Sequence, residues 1–384
     1  MTTSEQISTS ESAIRAHLSS ARRIVVKVGS SSLASTEAGL DMERLSSLVD
    51  VLAARQLAGS EVVLVSSGAI AAGLEPLGFT HRPVDVAQQQ AAAAVGQGQL
   101  MSAYTQAFAA HGLHTAQVLL TKNDLARKSS FNNALRTFGA LTRLGVVPVV
   151  NENDTVATRE IRLGDNDHLA ALVAELVHAD GLVLLSDVDG LYTAHPKDPE
   201  AKRITFVKDV LELEVDVLTP GTSGVGSGGM ATKVEAARLA AGAGIPVALA
   251  RWDQAGAVLA GEQVGTVFAA SSKRMSRRHG WLAHASDTQG QIYVDPGAAK
   301  ALIDTAASLL AIGVRRVEGR FHAGDSVEII GPNGLIARGV VAYDSTDLPK
   351  LVGRTSSELT TSMGGQYARP IVHRDDLVMS RTVV

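Results

Sequence analysis

The sequence predicts an α/β fold: a mostly parallel sheet sandwiched by helices, followed by a small β-rich C-terminal domain. Three observations carry that prediction. Short β-branched runs alternate with helical segments as far as about residue 270, the pattern of a parallel sheet covered on both faces. The runs end in Gly-, Ser-, Asn- or Asp-bearing turns. At the basic stretch SSKRMSRRHG (271–280) the alternation stops, and short strand patterns with Gly and Pro-Asn-Gly turns take over.

The elements follow in order. Residues 1–20 hold no apolar segment and carry Glu5 and Glu11, so they read as a flexible polar arm and not as a signal or transit peptide. RIVVKVGSS (23–31) is a buried strand entering a loop, and 41–59 is a helix ended by Gly59. EVVLVSSGAIAAG (61–73) repeats strand, small-residue turn and helix, and 85–112 is an Ala-rich helix. HTAQVLL is a strand, 129–144 a helix, and 145–154 a strand running into a polar loop. A helix over 166–179, a strand breaking into an acidic turn over 181–190, a helix over 230–244 and a strand over 245–250 complete the series. The expected boundaries are an arm at 1–20, an α/β domain at 21–270, a linker at 271–288, a β-rich domain at 289–370 and a tail at 371–384. In the β-rich domain only one helix is expected, around 297–309.

Composition narrows the function. Aromatic residues are only 4%, so the core is aliphatic. Cysteine is absent, which removes disulfides, thiolate metal sites and a cysteine nucleophile, and suits a reducing cytoplasm. No long apolar run predicts a membrane span. The 11 histidines show no metal-ligand spacing, and GxSxG is missing. The net charge of −4 divides unevenly: +3 from Ser271 onward and −7 before it.

The chemistry-bearing residues fall in the turns after strands, where ligands sit in parallel sheets. GTSGVGSGGMATK (221–233) contains GxGxxG, but Pro220 and Gly221 lead into it where a dinucleotide site needs a strand. Three residues separate Gly229 from Lys233, so the P-loop pattern fails as well. Two readings remain. One is a helix start that binds an anion, with Lys233 one turn inside; the other is a mobile loop before a surface lysine. Lys27, inside an apolar strand, is aimed at a phosphate or snorkels from the strand end. NENDTVATREIRLGDNDHLAA (151–171) packs Asn151, Asn153, Asp154, Asp165, Asn166 and Asp167 into two clusters joined by an expected hairpin. Helix capping explains one of those residues, not both clusters. Ser66-Ser67-Gly68 offers donors at another helix start, and SDVDG (186–190) suits a ribose or base edge, or is a plain Asp-Gly turn. Two lysines, many carboxylates and several glycine-rich turns fit phosphoryl transfer best, because it needs placed positive charge more than covalent chemistry.

VVKVGSS, VSSGAIAAG, VVNENDTVAT, LGDND, LLSDVDGLYTAHP and GSGGMATK, in this order, resemble the amino acid kinase family, and among its members those that act on glutamate. The likeness runs from about Arg23 to Phe268; the segment from about Gly290 to Arg369 resembles a PUA domain. The resemblance implies ATP-dependent phosphorylation of the L-glutamate side-chain carboxylate, the first step of proline synthesis. It implies glutamate at Ser67, Asp154 and Asn166. It implies ATP at Lys27, Ser186, Asp187 and the run Ser227, Gly228, Gly229, Met230, Ala231, Thr232 and Lys233. Asp167 would hold Lys27 and Lys233 in place as the third member of the catalytic set. It further implies Mg2+ with ATP, inhibition by proline, handover of the acyl phosphate to glutamyl-phosphate reductase, and a dimer or tetramer. Rival readings are another small acid as acceptor, an inactive paralogue, or RNA binding through the PUA domain, for which +3 is a weak electrostatic footprint.

Overall fold

The computed structural model describes residues 10–35, 39–121, 124–125, 128–156, 166–194, 198, 200–210, 213, 229–271, 288–305 and 307–380. The chain divides into two compact units: residues 1–122 with 133–274, and residues 275–384 with 123–132. Among the described residues, no helix is long and apolar enough to cross a membrane.

The first unit is built on a sheet of eight strands. In chain order they are β1 (Arg23–Val28), β2 (Glu61–Ser66), β3 (Thr115–Leu120), β4 (Val147–Glu152), β5 (Gly181–Ser186), β6 (Phe206–Val207), β7 (Val247–Arg251) and β8 (Thr266–Phe268). Across the sheet they lie β6-β8-β7-β5-β1-β2-β4-β3, and every pairing is parallel except β7 with β8. The central strands are almost wholly buried and apolar, as strands covered on both faces must be. Besides one turn at Ser30–Leu33, the helices include α1 (Glu11–Ser19), α2 (Met42–Leu57), α3 (Ala69–Ala72), α4 (Val86–Ala109), α5 (Lys128–Arg143), α6 (Asn166–Leu176), α7 (Met230–Gly242) and α8 (Ala255–Leu259). From α5, residues from Asn133 on belong to this unit. Successive strands move away from β1 through β2, then β5 returns to its other side, so the strand order reverses at β1. Ligands in such sheets bind beyond the strand ends at that reversal.

Two local features shape the site. Gly68 has φ +106°, a left-handed conformation that turns the end of β2 sharply into α3 and that a side chain would strain. Helices α3 and α4 cross with backbones nearly touching: a Cβ on Gly96 would stand 1.9 Å from the Ala69 carbonyl oxygen, and one on Gly73 1.9 Å from that of Ala92. A glycine inside α4 costs about 1 kcal/mol of helix propensity, which the close crossing offsets. Replacing Gly96 by alanine should therefore destabilise the first unit by about 3 kcal/mol, read as a lower denaturant midpoint with unchanged slope.

The flexible arm expected at 1–20 is corrected for its second half: residues 11–19 form α1. Ser10 caps the helix, its hydroxyl accepting from the Ala13 N–H at 3.3 Å. Ile14 and Leu18, one turn apart, are both buried. Arg15 Nη1 donates to the Glu262 and Val264 carbonyls at 2.7 Å each. Gly181 makes room for the docking, since a Cβ there would meet Leu18 Cδ2 at 2.3 Å.

The second unit carries a five-stranded sheet from β9 (Gly290–Val294), β10 (Val314–Gly319), β11 (Ser326–Gly331), β12 (Gly334–Val341) and β13 (Val372–Met379), in the order β10-β9-β11-β12-β13. Its core gathers Ile292, Val327, Ile329, Leu302, Leu351 and Val372. Two expectations are corrected here. Residues 372–379, assigned to a tail, pair antiparallel with β12 and close the sheet on that side. The single expected helix is α9 (Pro296–Thr305), but α10 (Leu348–Leu351) and α11 (Ser356–Met363) are present too. A capping box starts α11: Thr355 Oγ1 accepts from the Glu358 N–H, and the Glu358 carboxylate accepts from the Thr355 N–H at 2.7 Å.

Candidate active site

Lys27 lies one residue before the end of β1, on the face opposite Val26 and Val28. That face is covered by α6, which packs against both β1 and α7. The first turn of α6 carries Asp167 and the first turn of α7 carries Lys233. The three side chains meet. Lys27 Nζ stands 2.5 Å from Asp167 Oδ1, and Lys233 Nζ donates to Asp167 Oδ2 at 3.2 Å. Their exposures of 2%, 0% and 6% mean that water screens this cluster little. Among the described residues, two ammonium groups meet one carboxylate here. The positive ends of α6 and α7 lie at the same cluster. Gly229, the cap of α7, makes no side-chain capping bond, and the N–H groups at a helix start favour an anion. Thr232 Oγ1 donates to the Gly229 carbonyl at 2.8 Å.

Beside this cluster runs a chain of amides. Asn166 Nδ2 faces three acceptors: the Ser66 carbonyl at 2.9 Å, Ser67 Oγ at 2.8 Å and Asn151 Oδ1 at 2.9 Å. With two protons to give, it serves two fully and shares with the third. Asn151 Nδ2 in turn donates to Gln97 Oε1 on α4 at 2.8 Å. Strand alternation separates the two serines. Ser66 is buried and pairs with the Tyr104 hydroxyl at 2.8 Å, and burial pushes the Tyr104 phenol well above its usual range, so it stays neutral. Ser67 faces the amide chain. A cleft of about 320 Å³ opens alongside, its lining including Gln97 and Gly98 of α4, Gln117 of β3, and Glu152 to Thr155.

The structure thus brings Lys27, Asp167 and Lys233 into direct contact, and Ser67 and Asn166 into a second group one residue away along α6. Asp154 is half-buried on the loop after β4 and lines the cleft. Ser186 ends β5, buried, with its hydroxyl donating to Asp187 Oδ1 at 2.9 Å; Asp187 itself is exposed. Met230, Ala231 and Thr232 form the first turn of α7 after Gly229. Ser227 and Gly228, Asp165 and the expected hairpin from 157 on lie outside the described residues. In SDVDG, Asp189 is a fastener: it accepts from Tyr192 Oη at 2.9 Å and from Arg203 Nη1 at 3.3 Å. Gln97 was missed by sequence reasoning. Its signal was a polar residue between Gly96 and Gly98 on the buried face of an Ala-rich helix.

Fold and site define an α/β protein with a buried lysine–aspartate cluster beside a polar cleft. Sequence models match accordingly: the amino acid kinase family over residues 22–251, and the PUA domain over 290–363. The chain belongs to the amino acid kinase family and carries a C-terminal PUA domain. Similar proteins include glutamate 5-kinase of Thermobifida fusca, 54% identical over 370 residues, which span 96% of this chain and 95% of that one. Glutamate 5-kinase of Salinispora arenicola is 54% identical, covering 95% and 100% of the two chains. That of Streptomyces coelicolor is also 54% identical, covering 94% and 96%.

Proposed function

We propose that this chain is an ATP-dependent kinase that phosphorylates the side-chain carboxylate of L-glutamate, opening proline biosynthesis. The observation that carries the reading is 54% identity to a glutamate 5-kinase over 96% of the chain. The buried Lys27–Asp167–Lys233 cluster supports it physically.

The acceptor carboxylate, with a reference pKa of about 4.3, is ionised at neutral pH and needs no general base. The difficulty is bringing an anion against a polyanion. In the proposed arrangement Lys27 and Lys233 face the transferring phosphoryl group and neutralise charge that builds up in the transition state. Asp167 holds both ammoniums apart and in place. First-turn N–H groups of α7, with the residues from Ser227 to Lys233, cradle the phosphates, while Ser186 and Asp187 take the nucleoside end. Ser67 and Asn166 hold the acceptor, and Asp154 faces its ammonium across the cleft.

MgATP is the substrate form that fits. Among the described residues, no group of three or more Asp, Glu, His or Cys could hold a metal ion. A Mg2+ ion that arrives on the phosphates needs at most one or two protein carboxylates, and it lowers the charge the lysines must offset. The product is an acyl phosphate, labile to water, which favours handover to glutamyl-phosphate reductase. Proline, an analogue of the acceptor's α-amino acid end, is assigned as inhibitor at the same cleft. A cytoplasmic homo-oligomer, and RNA as a ligand of the PUA domain, complete the reading.

The test is ADP release with hydroxylamine present, which traps an acyl phosphate as hydroxamate. Hydroxamate should form with L-glutamate, less or none with aspartate or N-acetylglutamate, and less when proline is added. Turnover with one of the other acids and not with glutamate would reassign the acceptor.

A further inference from the structure

The amide chain has a fixed polarity, and it ends in an unused donor. The Glu152 backbone N–H donates to Asn151 Oδ1 at 2.9 Å, and the Ser66 carbonyl accepts from Asn166 Nδ2 at 2.9 Å. Backbone groups cannot flip, so both asparagines are oriented by them. Asn151 must then present its NH2 to Gln97, and Gln97 must answer with Oε1. Nε2 of Gln97 is left as the free end. It is buried and has no acceptor among the described residues, on a residue only 9% exposed. Buried amide N–H groups are almost always satisfied, so an orphan that borders a cleft marks a missing partner.

The chemistry of the cleft says what that partner is. An N–H donor calls for an oxygen. The lining of the cleft also includes Glu152 and Asp154, whose negative charge favours a cation nearby. A carboxylate and an ammonium at the same end of one small molecule is the α-amino acid group. If the reacting carboxylate lies at the lysines, the α end of the acceptor lies in the cleft. Resting on the kinase reading above, we propose that Gln97 is a substrate-binding residue: its Nε2 donates to the α-carboxylate of glutamate and selects acceptors with a free α-amino acid end.

Steady-state kinetics of wild type, Gln97→Glu and Gln97→Met test this. Gln97→Glu keeps the size of the side chain and an acceptor for Asn151, but puts a negative oxygen where the donor stood. The KM for glutamate should rise about 30-fold or more, with the KM for MgATP within about threefold. Gln97→Met removes the donor without adding charge, and the glutamate KM should rise about tenfold. A purely structural role for Gln97 would move both KM values together and lower the melting temperature. That result, or an unchanged glutamate KM in both variants, overturns the proposal. Should wild type turn over a different acid, the glutamate reading falls, while the same three enzymes assayed on that acid still decide the part of Gln97.

Discussion

Lys233→Ala lowers kcat by ~100-fold or more, with folding retained. The lysine sits in the first turn of α7, where a side chain leans back toward the helix N-terminus and any anion bound there. Its charge acts in a site that water screens little, and so is worth more than a surface charge. Stability should suffer modestly, because removing Lys233 leaves Lys27 and Asp167 as a balanced pair. Lys233→Arg should recover only part of the rate, since the planar guanidinium fork does not occupy the place of a compact ammonium. ADP release beside thermal melting checks all of this; a near-normal kcat in the alanine variant would remove Lys233 from the chemistry.

Asp167→Asn has the opposite profile: a large loss of stability as well as of rate. Asp167 is 0% exposed and compensates two buried ammoniums at once. Removing one member of a buried ion pair costs about 3–5 kcal/mol, because the remaining charge is stranded. For a domain of this size that lowers the melting temperature by roughly 6–20 °C. Phosphates can supply the missing negative charge, so MgATP should raise the melting temperature of Asp167→Asn more than that of wild type. Equal melting temperatures for the two proteins would show that the lysines do not depend on this carboxylate. The comparison with Lys233→Ala is informative, because each variant deletes one charge and Asp167 is the group in contact with both lysines.

Legibility varied with how local each signal was. The central strands were readable because runs such as IVV (24–26) and LVLL (182–185) are apolar on both faces. Lys27 stood out as the exception inside such a run. Its contact with Asp167 bridges positions far apart in sequence, and no local pattern reports which lysine meets which carboxylate. Helix α1 escaped because Ile14 and Leu18 are few among polar residues and its anchors lie at Glu262 and Val264. Strand β13 escaped because His373, Arg374, Asp375 and Asp376 break the apolar alternation of an edge strand. Helix α11 is rich in Ser and Thr, poor helix formers, and was announced only by its Thr355–Glu358 capping box. Gln97 hid in a helix whose small residues read as packing alone.

The anchoring of α1 carries a consequence for how the protein is made. Arg15 reaches acceptors 247 and 249 residues further along the chain. On the ribosome, then, α1 emerges long before the residues that hold it. The central strand β1 can pair with β2 early and waits for β5, but the docking of α1 is gated by synthesis of the segment that carries Glu262 and Val264.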